Sequence, residues 1–146
     1  MKSSDFGAIE RFLPADAVAA IGRVLFSLIF IWSGWAKLTD FGGTAGYMAQ
    51  LGVPLPSIAL VIEIILELGG GLALFLGVFV RLASVGLIVH TVIVSVMIHT
   101  FWSVPPDQVE EQTIQFMKNV SIVGGLLFIN LYGGGGFGLS RFIGPK

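Results

Sequence analysis

Apolar residues dominate four stretches of this chain, 17–38, 57–79, 82–101 and 116–132. Each comes close to the roughly 20 residues that a bilayer-spanning helix needs. Polar segments separate them, except between the second and third, where only Val80 and Arg81 intervene. That spacing predicts a tight helical hairpin. The pattern as a whole predicts an all-α integral membrane protein, a four-transmembrane-helix bundle formed by one domain over 1–146.

The connecting segments carry their own signals. In the first, 39–56, residues 40–44 (DFGGT) read as a turn ending in an N-cap at Thr44, and 44–51 as a short interfacial helix. Gly52, Pro54 and Pro56 stop it. In the third, Pro105-Pro106 precedes Asp107, with Glu110 three residues later, the spacing of a capping box, so the fourth helix starts near Asp107. The glycine run 133–136 ends that helix; with no Lys-Ser/Thr after it, it lacks the features of a phosphate-cradling loop. Gly69, Ala73 and Gly77 form a small-xxx-small row that predicts close approach of a neighbouring helix.

Polar residues inside the spans are the candidates for chemistry. A charge at the bilayer centre costs roughly 2.5–3.5 kcal/mol on insertion scales, so such groups pair or face a protected interior. At about 100° per residue, Glu63 and Glu67 share one face of the second helix. Arg23, Ser27, Gly34 and Lys37 share one of the first, and Ser84, Thr91, Ser95 and His99 one of the third. Lys118, Ser121 and Gly125 align on the fourth. Depth then groups Lys37, His99 and Lys118 with Glu63 near the outer ends, and Arg23 with Glu67 deeper. Both clusters read equally as register-fixing ion pairs or as a small-molecule, quinone or proton site. His90, half a turn out of phase with His99, reads as a helix–helix hydrogen-bonding group, and two histidines so placed make neither a metal site nor a haem pair. Trp32, Trp35 and Trp102 suit an aromatic belt at the membrane interface.

Composition narrows the classes. The 146 residues are 55% hydrophobic and 12% charged, about half the usual charged share, with net charge −1 and mean hydropathy +0.91. No basic surface argues for nucleic acid. The absence of cysteine excludes disulfides, thiolate metal sites and iron–sulfur ligation by this chain. Residues 1–16 do not have the form of a cleavable signal peptide, so the first span is expected to remain as an anchor. Lys2, Arg11, Arg81, Arg141 and Lys146 fall on one side of a four-span topology and only Lys37 and Lys118 on the other, which predicts that both termini are cytoplasmic.

An ordered set of short motifs carries a resemblance. It comprises 33–38 (SGWAKL), Phe41-Gly42-Gly43-Thr44, Tyr47-Met48, Leu51-Gly52-Val53-Pro54, the two glutamates of the second span, Gly77 with Arg81, His99-Thr100-Phe101-Trp102, and Phe116-Met117-Lys118-Asn119 with Gly124-Gly125. Together, from about Arg23 to Gly138, they resemble the DoxX family of small bacterial inner-membrane proteins. The resemblance implies a multi-pass protein of the bacterial inner (plasma) membrane. It also implies an accessory role in a membrane redox system, with a partner protein or a homo-oligomer in the bilayer and a quinone as the cofactor class. By motif, Arg23, Lys37, Glu63, Glu67, Arg81, His99, Lys118 and Asn119 carry over, without an assigned catalytic role. Three functions stay open: an accessory redox subunit, a quinone- or small-solute-binding oxidoreductase subunit, and a small oligomeric transporter. Whether the chain is itself an enzyme stays open with them.

Overall fold

The computed structural model describes residues 13–140; the expectations that concern Lys2, Arg11, Arg141 and Lys146 lie outside them. Among the described residues there are four helices long and apolar enough to cross a membrane. The first, α1 (Ala15–Thr39), starts after the extended Pro14 and stops where Asp40 leaves helical geometry. The Asp40 side chain accepts a bond from Gly43 N at 3.3 Å and so caps α2 (Phe41–Gln50). The interfacial helix therefore begins three residues before Thr44, because Asp40 supplies the cap.

Leu55, at φ 48°, turns the chain into α3 (Pro56–Leu76), whose first residue is a proline. Within α3, Ile65–Gly69 forms a π-helical turn. The helix ends in a Schellman motif: Gly77 N bonds Leu74 O at 3.2 Å and Val78 N bonds Ala73 O at 3.0 Å, with Gly77 at φ 71°. The hairpin turn is thus Gly77–Phe79, earlier than the Val80-Arg81 break that the hydropathy suggested, and α4 runs Val80–Met97.

A loop and a 3-10 turn (Pro106–Gln108) lead to α5 (Val109–Tyr132). The Asp107–Glu110 capping box does not form. Gln108 occupies the cap position without a side-chain bond, which puts Glu110 one residue too early for the box. Glu110 and Glu111 still favour the positive end of the helix dipole. Gly133, at φ 67°, ends α5, and the following tail bonds back through Leu139 N to Leu76 O (3.1 Å) and Ser140 N to Gly77 O (3.3 Å).

The helices form a bundle in which α1 and α4 flank α3, and α5 packs along α4. Phe30, Leu74, Val80, Leu87, Ile122 and Leu126 make the core on the side of the α3–α4 hairpin. A second cluster, Met48, Leu60 and Ile64, seats α2 on α3 at the opposite end, here called the α2 side. Lipid-facing surfaces are apolar, with Trp32, Leu82 and Leu131 all more than two-thirds exposed.

The glycine row predicted along Gly69, Ala73 and Gly77 is not the packing stripe. A Cβ at Gly69 would meet nothing within 4 Å, whereas one at Gly71 would lie 3.0 Å from Ile31 Cγ1 and one at Gly34 2.8 Å from Leu68 Cγ. Gly34 and Gly71 therefore let α1 and α3 approach. Gly69 closes the π turn and Gly77 is the left-handed residue past the helix end, so the three positions do not form one continuous helical face. A similar shift of about one residue holds on α5, where Asn119, Ile122 and Leu126 are buried and Lys118 and Ser121 exposed.

Candidate functional site

Two carboxylates, one buried and one partly so, meet one ammonium in the α2-side half of the bundle. Lys37 Nζ, near the end of α1, lies 2.7 Å from Glu63 Oε1 and 2.7 Å from Glu67 Oε1, and donates to Ser33 Oγ at 3.1 Å. From α4, His90 Nε2 stands 3.2 Å from Glu67 Oε1 and 4.0 Å from Glu63 Oε1. Glu67 and His90 are buried, Lys37 and Glu63 partly so. Glu67 Oε2 is buried without a hydrogen-bond partner among the described residues. Three helices thus supply one network, and its fixed charges do not cancel: two carboxylates face one lysine.

The α-helical start of α3 and the π turn that follows place Glu63 and Glu67 together. The small residue Gly34 lets α1 come close enough for Lys37 to reach both. On α4 the buried positions Ser84, Leu87, His90, Thr91 and Ser95 form the face toward the bundle. Ser84 and Ser95 satisfy their hydroxyls on the carbonyls of Val80 (2.7 Å) and Thr91 (2.6 Å), and His90 reaches Glu67 on α3.

The network forms part of the wall between two cavities. The larger, about 690 Å³, lies between α2, α3 and α4 and is mostly apolar, with Met48, Ile62, Leu66 and Ile93 in its lining. Lys37, Glu63, His90 and His99 supply its polar end. The smaller, about 120 Å³, lies toward α1 and α5 and is lined by Lys37, Glu67, His90, His99, Lys118 and Asn119 among others. Glu63 faces the first cavity, Glu67 the second, and Lys37 and His90 both.

Of the residues singled out from sequence, Lys37, Glu63 and Glu67 are joined directly. Glu67 pairs with Lys37 and not with Arg23. Arg23 and Lys37 are fourteen residues apart on α1, about 21 Å at 1.5 Å per residue, so Arg23 belongs to the hairpin end. There its guanidinium donates to Leu74 O, and to Phe75 O at 3.2 Å, completing the cap of α3. His99, Lys118 and Asn119 sit beside the smaller cavity but do not bond the carboxylates: His99 Nδ1 lies 2.9 Å from Gln112 Oε1, and Lys118 donates to Gln115. The helix ends at Met97, so a helical-wheel phase extended to His99 does not apply.

His90 is the member that sequence reasoning left out of the site. A signal for it exists: Glu67 lies ten residues before Gly77 and His90 eleven after Phe79, which sets them at one depth on either side of the hairpin. Donor atoms of Glu63, Glu67 and His90 fall within 4.8 Å of one another, a spacing that would suit a cation. Lys37 Nζ already lies 2.7 Å from an oxygen of each of the two carboxylates.

Comparison with known proteins agrees with the geometry. The DoxX family matches residues 18–100. The chain is 37% identical to the inner membrane protein YphA of Escherichia coli K12 over 137 residues, covering 94% of each chain. It is 31% identical to the inner membrane protein YqjF of the same organism over 131 residues, covering 90% of this chain and 95% of that one. No solved structure matches. A four-span bundle, a family match over most of the core, and two near-full-length inner-membrane relatives lead to one conclusion: the chain belongs to the DoxX family of integral inner-membrane proteins.

Proposed function

We propose that this protein is the membrane-embedded binding subunit of a redox system and that its larger cavity holds a lipophilic ligand of the quinone class. One observation carries the reading: an apolar cavity of about 690 Å³ that ends on charged and hydrogen-bonding groups. Small-molecule sites are of this size, apolar with a few placed polar groups. A quinone has that polarity, a flat apolar ring with two carbonyl oxygens. Lys37 donates to a carbonyl, Glu63 accepts a proton from the hydroquinone form, and the α2 helix covers the ring with Met48 and Tyr47. The chain orients the ligand and holds a proton; electrons pass between the ligand and a partner protein. The asymmetry of basic residues in the sequence supports cytoplasmic termini, with the α2 side outward.

The test is photolabelling with an azido-ubiquinone in mild detergent, followed by peptide mapping. Labelling should concentrate on α2 and on the cavity-facing positions of α3 and α4, and Ile93→Trp should suppress it by filling the cavity. Label spread over lipid-facing positions such as Leu82 and Leu131, unaffected by Ile93→Trp, would remove the quinone reading. Topology is checked separately in the cysteine-free background. An impermeant thiol reagent should reach Gln108→Cys in intact cells and not Ser140→Cys; the reverse pattern inverts the orientation.

A further inference from the structure

The charge count at the site has a chemical consequence. Glu63 and Glu67 share one ammonium, so the network carries one uncompensated negative charge whenever His90 is neutral. Each element packed around it is accounted for. Lys37 comes from α1, Tyr47 from α2, Glu63 and Glu67 from α3, His90 from α4 with His99 just beyond it, and Lys118 from α5. Of these cations only Lys37 touches a carboxylate, and Lys118 is exposed and bonded to Gln115. An excess charge at this depth is unfavourable and draws a neutralising partner. The smallest partner is a proton, and the structure offers it two positions. One is the His90 Nε2···Oε1 Glu67 contact at 3.2 Å, where an imidazolium would complete the charge balance. The other is Glu67 Oε2, which the described residues leave without a bond.

A route to this position is built beside it. The smaller cavity, about 120 Å³, has room for several waters, and its polar lining supplies the partners that such waters need. Its lining includes Glu67 and His90, the buried Asn119, His99 and the exposed Lys118. Toward the hairpin side the way is closed by the packed side chains of Phe30, Leu74 and Leu87.

We propose that the Lys37–Glu63–Glu67–His90 network is a proton-binding site that holds one exchangeable proton and trades it with the α2-side water through the smaller cavity. The proton adds to His90 or Glu67 and leaves as hydronium, with no other bond made or broken. This goes beyond ligand binding, and its test uses protein freed of quinone, so the two readings fail separately.

The experiment is infrared difference spectroscopy on detergent-solubilised protein, titrated with pH in H2O and in D2O. It compares the parent with Glu67→Gln, His90→Gln and Asn119→Leu. The parent should show a titrating imidazole or carboxyl signal that deuterium reaches readily. His90→Gln and Glu67→Gln should each lose or displace that signal. Asn119→Leu, which blocks the smaller cavity and leaves the network itself untouched, should keep the titration and slow its deuteration. A parent with no titrating buried group would overturn the proposal, as would deuteration that Asn119→Leu does not slow. So would a stoichiometric metal ion found by native mass spectrometry, because the charge would then be balanced by a cation other than the proton. If His90→Gln does not fold, Asn119→Leu still decides.

Discussion

Two ends of this bundle each bury a charge in a span, and they dispose of it differently. At the hairpin end, Arg23 lies against the carbonyl oxygens of Leu74 and Phe75, beside the Schellman turn at Gly77. Backbone dipoles absorb the charge, the surrounding groups are packed, and neither cavity has Arg23 in its lining. At the α2 end, four ionisable side chains from three helices crowd together, one carboxylate oxygen has no hydrogen-bond partner among the described residues, and a cavity lies on either side. An ionisable residue in a span is thus not evidence of function by itself. What distinguishes the two ends is whether the charge is closed off by the carbonyls of a neighbouring helix end or left unbalanced next to open space.

The sharpest way to break this contrast is to remove the shared cation. Lys37→Met strands both carboxylates, and losing one partner of a buried pair costs about 3–5 kcal/mol. Folded yield and Tm should fall steeply. Adding Glu63→Gln and Glu67→Gln to Lys37→Met should restore most of the loss, because amides need no counter-charge. Thermal melts of the two variants in one detergent check this. If Lys37→Met melts like the parent, the carboxylates are not held as charges and the α2 end is no more loaded than the hairpin end.

Arg23→Met should come next. A hydrogen bond to a charged group is worth about 1.5–3 kcal/mol, and the methionine keeps much of the packed stem. Stability should drop by about that amount while azido-quinone labelling of the remaining folded protein stays unchanged. A selective loss of labelling with full stability would make Arg23 part of the site and erase the difference between the ends.

Much of this arrangement was legible before the structure, for identifiable reasons. Span placement follows from length and hydropathy, and Glu63 with Glu67 survives because four residues stay close to one turn even where Ile65–Gly69 is π-helical. Arg23, Ser27 and Gly34 are buried together as their spacing requires, since α1 is unbroken. What failed did so where helical phase was carried across an irregularity. The glycine row ran from the last residue of the π turn, Gly69, to Gly77 past the helix end, whereas the close approaches fall at Gly70 and Gly71; the end of α4 at Met97 removed His99 from its stripe. Pairing Arg23 with Glu67 failed on depth, which counting residues from the hairpin turn would have corrected. The same count points to His90.

The smallest expected effect separates the rim of the site from its centre. His99 borders both cavities, yet its ring bonds Gln112 across the α4–α5 connection, not the carboxylates. His99→Ala removes that neutral bond, worth about 1 kcal/mol, so Tm should fall slightly. Quinone labelling should weaken only by a few-fold, since Lys37, Glu63 and His90 remain at the polar end. His90→Ala takes away a bond to a charged partner inside the network, and about 1.5–3 kcal/mol corresponds to tenfold or more in affinity. Measuring both variants with the same photolabel ranks the two histidines directly. Should His99→Ala abolish labelling while His90→Ala leaves it intact, the ligand's head group sits at the α2-side rim. The buried network would then be a structural device, closer in kind to Arg23 than the cavities around it suggest.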